Sequence, residues 1–277
     1  MLIAAPQYRE TLGEVGLRDD VAVREHFAQQ PTFSEEPSVR IHVGTLGPDR
    51  PGAVRTFYKE YRFAKPSWRF WGRASKARRE FRNLQTIIRL GVTCAEPVAC
   101  GERRDVLGRL RLAFIVTRAV PDAPPMDQFL PTHCDDAGNP AHARLRRQII
   151  DQLAEQVACI HRGGFAHNDL HWRNVLVRLE DDGQPRLVWI DCPRGGRFGL
   201  RWLGQRKMIK DLATLDRTAV TCCTLRERLR FARQYHRAAG VGMPLRDWVA
   251  AVEAYRLGRW RDAEAPITPD HPARARR

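Results

Sequence analysis

Hydrophobic positions along this chain recur with two periods. Between Val23 and Tyr61 they alternate in part with polar ones, in three runs (Val23 to Gln29, Ser38 to Thr45 and Ala53 to Tyr61) separated by turn-rich segments. Alternation by two is the mark of a strand with one buried face, so the three runs predict an antiparallel meander. In the second run Val39, Ile41 and Val43 alternate with Arg40 and His42, and Gly47-Pro48-Asp49-Arg50-Pro51-Gly52 supplies a hairpin turn. The third run places Lys59 near the end of a strand. Ahead of them the chain to about Val23 is polar and poorly periodic, and reads as an arm or short helix.

The second period is helical. From Ser75 to Leu90, Phe81, Leu84, Ile87 and Ile88 fall on one face and Gly91 stops the helix, with Glu80 just ahead of the first of them. Two strands follow, around Pro97 to Cys100 and Leu110 to Val120, and Pro121-Asp122-Ala123-Pro124-Pro125 then breaks the chain as a hinge would. Leu145, Ile149, Leu153, Val157 and Ile160 mark an amphipathic helix from Ala143 to Arg162, ended by Gly163-Gly164. Asn174 to Val177 and Arg186 to Ile190 form a hairpin about Asp181-Asp182-Gly183. Helical patterns return at Met208 to Thr221, Leu225 to Ala239 and Leu245 to Leu257, and the tail from Ala263 is expected to be disordered.

Composition narrows the classes. A chain of 277 residues is long enough for one large core or two lobes. Its formal charge of +15 comes mostly from arginine, which suits acidic partners such as nucleotide phosphates, nucleic acid or an anionic membrane; a compositional bias toward arginine is the other reading, and both stay open. Seven scattered cysteines without paired C-x-x-C spacing read as reduced thiols of a cytosolic protein, not as a metal site. The N-terminus has no signal-peptide pattern and no apolar run approaches bilayer length, so any membrane contact is expected to be peripheral.

The candidate chemistry centres on His167-Asn168-Asp169-Leu170-His171-Trp172-Arg173-Asn174. Phosphoryl transfer needs a carboxylate beside the attacking hydroxyl and, a short reach away, an amide oxygen on the metal that holds the nucleotide. Asp169 and Asn174 have that spacing, and the apolar run Leu187-Val188-Trp189-Ile190 delivers Asp191 as a second metal-binding carboxylate. The hairpin is expected to carry Asn174 at one end and Asp191 at the other, so that one element places both metal ligands. Upstream, Lys59 on the third strand and Glu80 on the next helix are the pair that aligns nucleotide phosphates in a kinase small lobe, although Glu60, Lys65 and Lys76 compete as partners.

With Lys59, Glu80, Asp169, Asn174 and Asp191 in order, the chain resembles the protein-kinase-like superfamily and, within it, the bacterial lipopolysaccharide kinase family of Kdo, WaaP and InaA type. The similarity covers roughly Val23 to Ala239. It is closest at Ala77-Arg78-Arg79-Glu80-Phe81-Arg82-Asn83-Leu84, Pro97 to Arg103, Ile190-Asp191-Cys192-Pro193-Arg194-Gly195 and Lys210-Asp211-Leu212-Ala213. The resemblance implies an α+β, two-lobed fold, with a small antiparallel β lobe and a mainly helical large lobe whose C-terminal part is shortened. The expected divisions are an arm over 1–22, a nucleotide-binding lobe over 23–120, a catalytic lobe over 121–262 and a basic tail over 263–277. It also implies ATP and Mg2+ as cofactors, with Lys59 on the phosphates, Glu80 holding it and Asp169 orienting a sugar hydroxyl. Asn174 and Asp191 would bind the metal and Asp211 would brace the catalytic loop, while His167 is expected to pack as a core histidine and His171 to line the site or support it. The implied acceptor is a Kdo or heptose of the lipopolysaccharide core, or another anionic glycan, met at the cytoplasmic face of the inner membrane.

Departures qualify the resemblance. Gln30 to Glu36, taken as the turn between the first two strands, contains no glycine, so the glycine-rich phosphate cover of protein kinases is absent or replaced. Asn168 stands where an arginine would read a phosphorylated activation loop, Pro193 stands where a flexible glycine would follow the metal aspartate, and no Ala-Pro-Glu closes the next segment. His171 matches small-molecule kinases of aminoglycoside and choline type. A protein kinase or a small-molecule kinase is therefore the second expectation, and a pseudokinase binding anionic lipid or RNA the third. In the connector between the third strand and the helix from Ser75, Trp68, Arg69, Trp71 and Arg73 interleave aromatics with cations, a pattern for a bilayer surface or an acidic acceptor; the other readings are tryptophans packed under the helix, or stacking on single-stranded nucleic acid. With no recognised nucleic-acid module in the sequence, nucleic acid is not the expected partner.

Overall fold

The computed structural model describes residues 1–47, 53–136, 138–199 and 201–260, apart from the side chains of 64–67, 69 and 201–203. The expected turn at Gly47 to Gly52 falls almost wholly, and the tail from Ala263 wholly, outside the described residues. The chain forms two compact units. One comprises Met1–Thr86, Ala95–Pro121 and Asp191–Arg194; the other comprises Ile87–Cys94, Asp122–Ile190 and the chain from Gly195 on.

The first unit is built on a six-stranded antiparallel sheet. In chain order its elements are β1 (Leu2–Ala4), α1 (Arg9–Glu14), α2 (Asp20–Ala28), β2 (Thr32–Glu36), β3 (Val39–Leu46), β4 (Val54–Ser67), most of α3 (Lys76–Arg89), β5 (Pro97–Arg104) and β6 (Leu110–Arg118). The strands lie in the order β1-β5-β6-β4-β3-β2.

Several expectations are corrected here. The first 22 residues are no separate arm, because Leu2, Ile3 and Ala4 pair with Gly101, Cys100 and Ala99 as an edge strand of this sheet. Val23 to Gln29 is not a strand. Asp19 caps a helix by accepting from the Val21 and Ala22 amides, both at 2.9 Å, and Val23 and Phe27, four apart, bury one face of α2. β2 is a further strand that the sequence did not suggest, exposed along its whole length and thus without an apolar alternation; its hairpin to β3 turns at Pro37-Ser38, again without glycine. In β3 the buried side is His42, Gly44 and Leu46, not the Val39, Ile41 and Val43 side. The reason is α2: a Cβ on Gly44 would lie 2.9 Å from the Phe27 ring, so only glycine lets the helix approach, and His42 satisfies its Nδ1 against the Gln30 carbonyl at 3.0 Å. Lys59 stands mid-strand, because β4 continues to Ser67, between Ile41 of β3 and Ile115 of β6. On α3, Phe81, Leu84 and Ile87 are buried, while Ile88 is exposed.

The second unit is mainly helical: α4 (Met126–His133), α5 (Pro140–Arg162), β7 (Phe165–Ala166), β8 (Val175–Leu179), β9 (Pro185–Trp189), β10 (Gly196–Arg197), α6 (Arg201–Cys222), α7 (Leu225–Ala239) and α8 (Leu245–Arg259). α4 was not foreseen; Pro131 inside it breaks the helical pattern. α5 buries Ile149, Leu153, Val157 and Ile160 on the face its periodicity marks, and packs on α7. α7 starts at a reciprocal cap between Thr224 and Glu227 and ends at Gly240, whose φ of 62° closes the last turn. β8 and β9 form an antiparallel hairpin beside α5, and β7 pairs with β10. Among the described residues no helix is long and apolar enough to cross a membrane.

Candidate active site

Strand alternation decides which side chains meet in the sheet unit. Successive residues of β4 point to opposite faces, so Lys59 and Tyr61 share one face while Tyr58 and Glu60 share the other. Glu60 is thereby removed as a partner of Lys59: it accepts from Tyr58 Oη at 2.7 Å and from Arg62 Nε at 2.6 Å. On the opposite face, Lys59 Nζ lies 3.7 Å from Glu80 Oε2 and 5.4 Å from the centre of the Tyr61 ring. The closest partner of the ammonium is Asp191, whose Oδ1 it contacts directly.

Two residues not singled out from sequence complete this group. Tyr61 Oη donates to Glu80 Oε2 at 2.9 Å, and Asn83, one turn along α3 from Glu80, donates its Nδ2 to the Cys192 carbonyl at 2.8 Å. Their signal in the sequence was spacing: Tyr61 is two past Lys59, on the same strand face, and Asn83 is three past Glu80, on the same helix face. Asn83 holds the segment that Asp191 begins. Asp191 itself has a φ of 57°, left-handed for a residue with a side chain, a conformation that persists only where its surroundings impose it. The hairpin carries both residues, as expected: Val175 pairs with Trp189, and the Ile190 amide donates to the Asn174 carbonyl at 2.9 Å, so Asn174 opens the hairpin and Asp191 directly follows its last paired residue. Beyond it, Lys59 contacts Asp191 and Asn83 holds the Cys192 carbonyl.

Electrostatics of the group follow from its enclosure. Burial opposes charge on Lys59, but Glu80, Tyr61 and Asp191 around it hold its pKa well above the ordinary lysine value. Burial also pushes the Glu80 carboxyl up to about 7, Lys59 pulls it down, and Asp191 pushes it up again. The ammonium thus stays charged, and it is the wholly enclosed Glu80 that takes up a proton near neutrality.

The helical unit organises the other candidate residues around one carboxylate. Asp211, wholly buried on α6, accepts the His167 amide on Oδ2 and the Asn168 amide on Oδ1, each at 2.7 Å. Behind it His161 bridges Asp211 Oδ2, at 3.3 Å, and Tyr235 Oη, at 2.8 Å. Neither His161 nor Tyr235 was foreseen; their only trace in the sequence was a polar group on the buried face of each helix. Asn168 has a φ of 62°, a left-handed turn that sets the direction in which Asp169 leaves the backbone. His171 Nε2 lies 3.5 Å from Asp169 Oδ1, and Asn174 Nδ2 donates to the Asp169 carbonyl at 2.8 Å. His167 is wholly buried, edge-on to the Trp189 ring at 5.7 Å.

With its amide nitrogen on the Asp169 carbonyl, Asn174 turns its amide oxygen the other way. An amide oxygen and the Asp191 carboxylate are hard donors that suit magnesium, which takes few protein ligands and completes its shell with water and phosphate oxygens. Among the described residues no three His, Cys, Asp or Glu side chains gather into an all-protein metal site.

Trp68 and Trp71 are exposed, against the reading that packs them under the helix, and Arg73 is exposed as well. The Arg69 side chain lies outside the described residues.

Comparison with known proteins places the chain. The model of the family described as "Lipopolysaccharide kinase (Kdo/WaaP) family" matches residues 52–255. The lipopolysaccharide core heptose(I) kinase WaaP of Pseudomonas aeruginosa is 32% identical over 170 residues, covering 58% of this chain and 59% of that protein. WaaP of Escherichia coli K12 is 26% identical over 177 residues, covering 61% of this chain and 62% of its own length. The chain thus spans about three fifths of the length of the curated relatives it matches. A solved structure of WaaP in complex with acyl carrier protein superposes with a TM-score of 0.67 at 24% identity, covering 95% of this chain and 99% of that one. That likeness is one of fold, and the α+β fold class expected from sequence holds.

Proposed function

Because the chain belongs to the lipopolysaccharide kinase (Kdo/WaaP) family, we propose that it transfers the γ-phosphate of ATP to a sugar hydroxyl of the lipopolysaccharide core, with Mg2+, at the cytoplasmic face of the inner membrane. The observation that carries this reading is the cluster of half-buried Lys59, buried Glu80 and half-buried Asp191, an ammonium whose pKa its neighbours raise, beside one carboxylate that holds it and a second that can take a metal. Since the relatives above are named for heptose, we favour heptose over Kdo as the acceptor.

In this reading Lys59 binds the nucleotide phosphates and Glu80 keeps it in place. Lys59 rests against Asp191; with nucleotide bound, Lys59 would pair with phosphate and Asp191 would be available to hold a metal. Magnesium, when bound by Asn174 and Asp191, supplies charge neutralisation on the phosphates. Asp169 accepts or orients the proton of the sugar hydroxyl, with His171 beside it at 3.5 Å to hold the carboxylate in line. Asp211 positions the loop from behind through its two amide bonds. Positioning and charge are most of what such a site contributes to the transfer.

The test is transfer of labelled γ-phosphate from ATP to purified core lipopolysaccharide, with and without Mg2+, by the intact chain and by Asp169→Ala. Labelling that needs Mg2+ and falls about 100-fold or more in the variant supports the reading. Labelling only of proteins or of free sugars would move it to a protein or small-molecule kinase, and absence of Mg2+-ATP binding to a pseudokinase.

A partner reading is favoured by one feature of the helical unit. An apolar cavity of about 190 Å3 lies among Ile149, Leu153, Leu212, Phe231, Trp248 and Val252. Given the WaaP neighbour solved with acyl carrier protein, we propose that this cavity receives an acyl chain presented by such a carrier. Filling it with Leu153→Trp is expected to abolish co-elution with acylated carrier protein; co-elution that survives, or that is equal for the unacylated carrier, would remove the reading.

A further inference from the structure

The sheet unit presents a second surface that the proposed chemistry does not use. Four large apolar side chains stand exposed on two neighbouring segments: Trp68 at 57% and Trp71 at 62% on the segment after β4, and Val106 at 101% and Leu107 at 53% on the loop joining β5 to β6. The two segments are tied together. Arg104 donates from Nη1 to the carbonyls of Phe70, at 2.9 Å, and Gly108, at 3.0 Å, and from Nη2 to that of Arg73 at 2.8 Å. Trp71 Nε1 donates to the Leu107 carbonyl at 3.2 Å.

The loop tip is braced as well. Asp105 Oδ1 accepts the Leu107 and Arg109 amides at 3.1 and 2.9 Å, its Oδ2 accepts Arg109 Nε at 2.7 Å, and Gly108 turns the chain with a φ of 75°. A tip held this firmly, with Val106 wholly outside it, displays apolar side chains by construction and not through fraying. Soluble surfaces rarely group several such residues without something to cover them.

Charge identifies what covers them. The two acids at this place are already matched, Glu102 by Arg104 and Asp105 by Arg109, whose guanidinium also lies 5.4 Å over the Trp68 ring. Asp105 Oδ2 also lies 3.9 Å from Arg111 Nε, so Arg104, Arg109, Arg111 and exposed Arg73 outnumber the two acids, and the apolar tip is rimmed by net positive charge. Protruding aliphatic residues, a collar of tryptophans and a rim of arginines match a bilayer with anionic headgroups: the aliphatic tip enters the acyl boundary, the indoles take the interface and the arginines meet phosphate. We propose that Trp68, Trp71, Val106 and Leu107, with Arg73 and Arg111, form a docking surface for an anionic lipid bilayer. The proposal rests on the reading that the acceptor is a membrane-bound glycan, and it supplies the contact that would hold the enzyme beside it.

Vesicle sedimentation with the full chain tests the surface apart from catalysis. Phosphatidylcholine vesicles are compared with phosphatidylcholine–phosphatidylglycerol vesicles, using the intact protein, V106D/L107D and R73E/R111E. The expected result is binding to the anionic vesicles only, weakened about tenfold or more by either double substitution. Phosphoryl transfer to a delipidated, soluble core oligosaccharide and the melting temperature are expected to stay unchanged in V106D/L107D. Equal binding by V106D/L107D and the intact chain would overturn the proposal. So would loss in that variant of binding to single-stranded RNA or acyl carrier protein, with no vesicle binding by either form. Vesicle binding that depends on Val106 and Leu107 in a chain that transfers no phosphate would uphold the surface and refute the kinase reading, so the two fail separately.

Discussion

Replacing Asp211 by asparagine probes the loop that carries Asp169. Asp211 has no access to water, and its two oxygens each take a loop amide at 2.7 Å. Asparagine keeps one acceptor and turns an N–H2 toward the other amide, so one charge-assisted bond is lost and a buried donor is left facing a donor. A bond to a charged group is worth ~1.5–3 kcal/mol net, and an orphaned buried donor costs ~1–3 kcal/mol. The two overlap, and the expected loss is ~2–4 kcal/mol, a large part of the ~5–15 kcal/mol that a folded domain has in reserve. The left-handed turn at Asn168 depends on the same clamp, so Asp169 should lose its direction and kcat should fall ~10–100-fold while KM for ATP changes little. Urea denaturation read for midpoint and slope, with steady-state kinetics at saturating ATP, measures both. A stability change under ~0.5 kcal/mol together with unaltered kcat would refute the argument that Asp211 organises this loop.

Other consequences follow from the sheet unit. Because Glu80 titrates at about 7 and must be ionised to hold Lys59, kcat/KM for ATP should rise through about pH 7, and Glu80→Gln should flatten that limb. Stability runs the other way: the folded pKa lies above the ordinary value of 4.5, so the stabilisation from this carboxyl is full below about 4.5 and is lost as pH rises through about 7, a trend that urea midpoints across that range would show and Glu80→Gln would abolish. Tyr61→Phe removes the 2.9 Å donor to Glu80 and should cost ~1–3 kcal/mol, while moving the acidic limb of kcat/KM to higher pH; an unmoved limb would mean the hydroxyl does not act on Glu80. Gly101→Ala places a methyl against the buried Phe114 ring and should lower stability by ~1–3 kcal/mol, read as a lower urea midpoint at constant slope, leaving ATP binding intact.

Long periodic segments were readable without coordinates. Five apolar positions of α5 repeat over most of its length, and a pattern that long has no strand alternative. The family and the fold class were likewise readable, because an upstream lysine and glutamate, a loop motif and an aspartate just past an apolar strand run occur in order along the chain. Short segments were another matter. α2 has only two buried residues, Val23 and Phe27, too few to separate a helix from a strand, and its identity rests on the Asp19 cap. β2 is exposed throughout and exists because β3 offers it an edge, so no apolar pattern announces it. β1 is three residues long and is a strand only where β5 is present to pair with it.

What the sequence determined by itself, then, was everything carried by local pattern: the helical and strand periods, the spacing of Asp169 and Asn174, and the chemical kind of each candidate group. What only the tertiary structure decided was which of those groups meet. That Lys59 faces Asp191 and Glu80 while Glu60 points away is a matter of strand faces and of where Asn83 holds the chain after Ile190. That Val106 and Leu107 stand beside Trp68 and Trp71 depends on Arg104 joining segments some thirty residues apart. Contacts between distant residues are stabilised only when the whole chain has closed, so their partners are written in the packing and not in any single stretch of sequence.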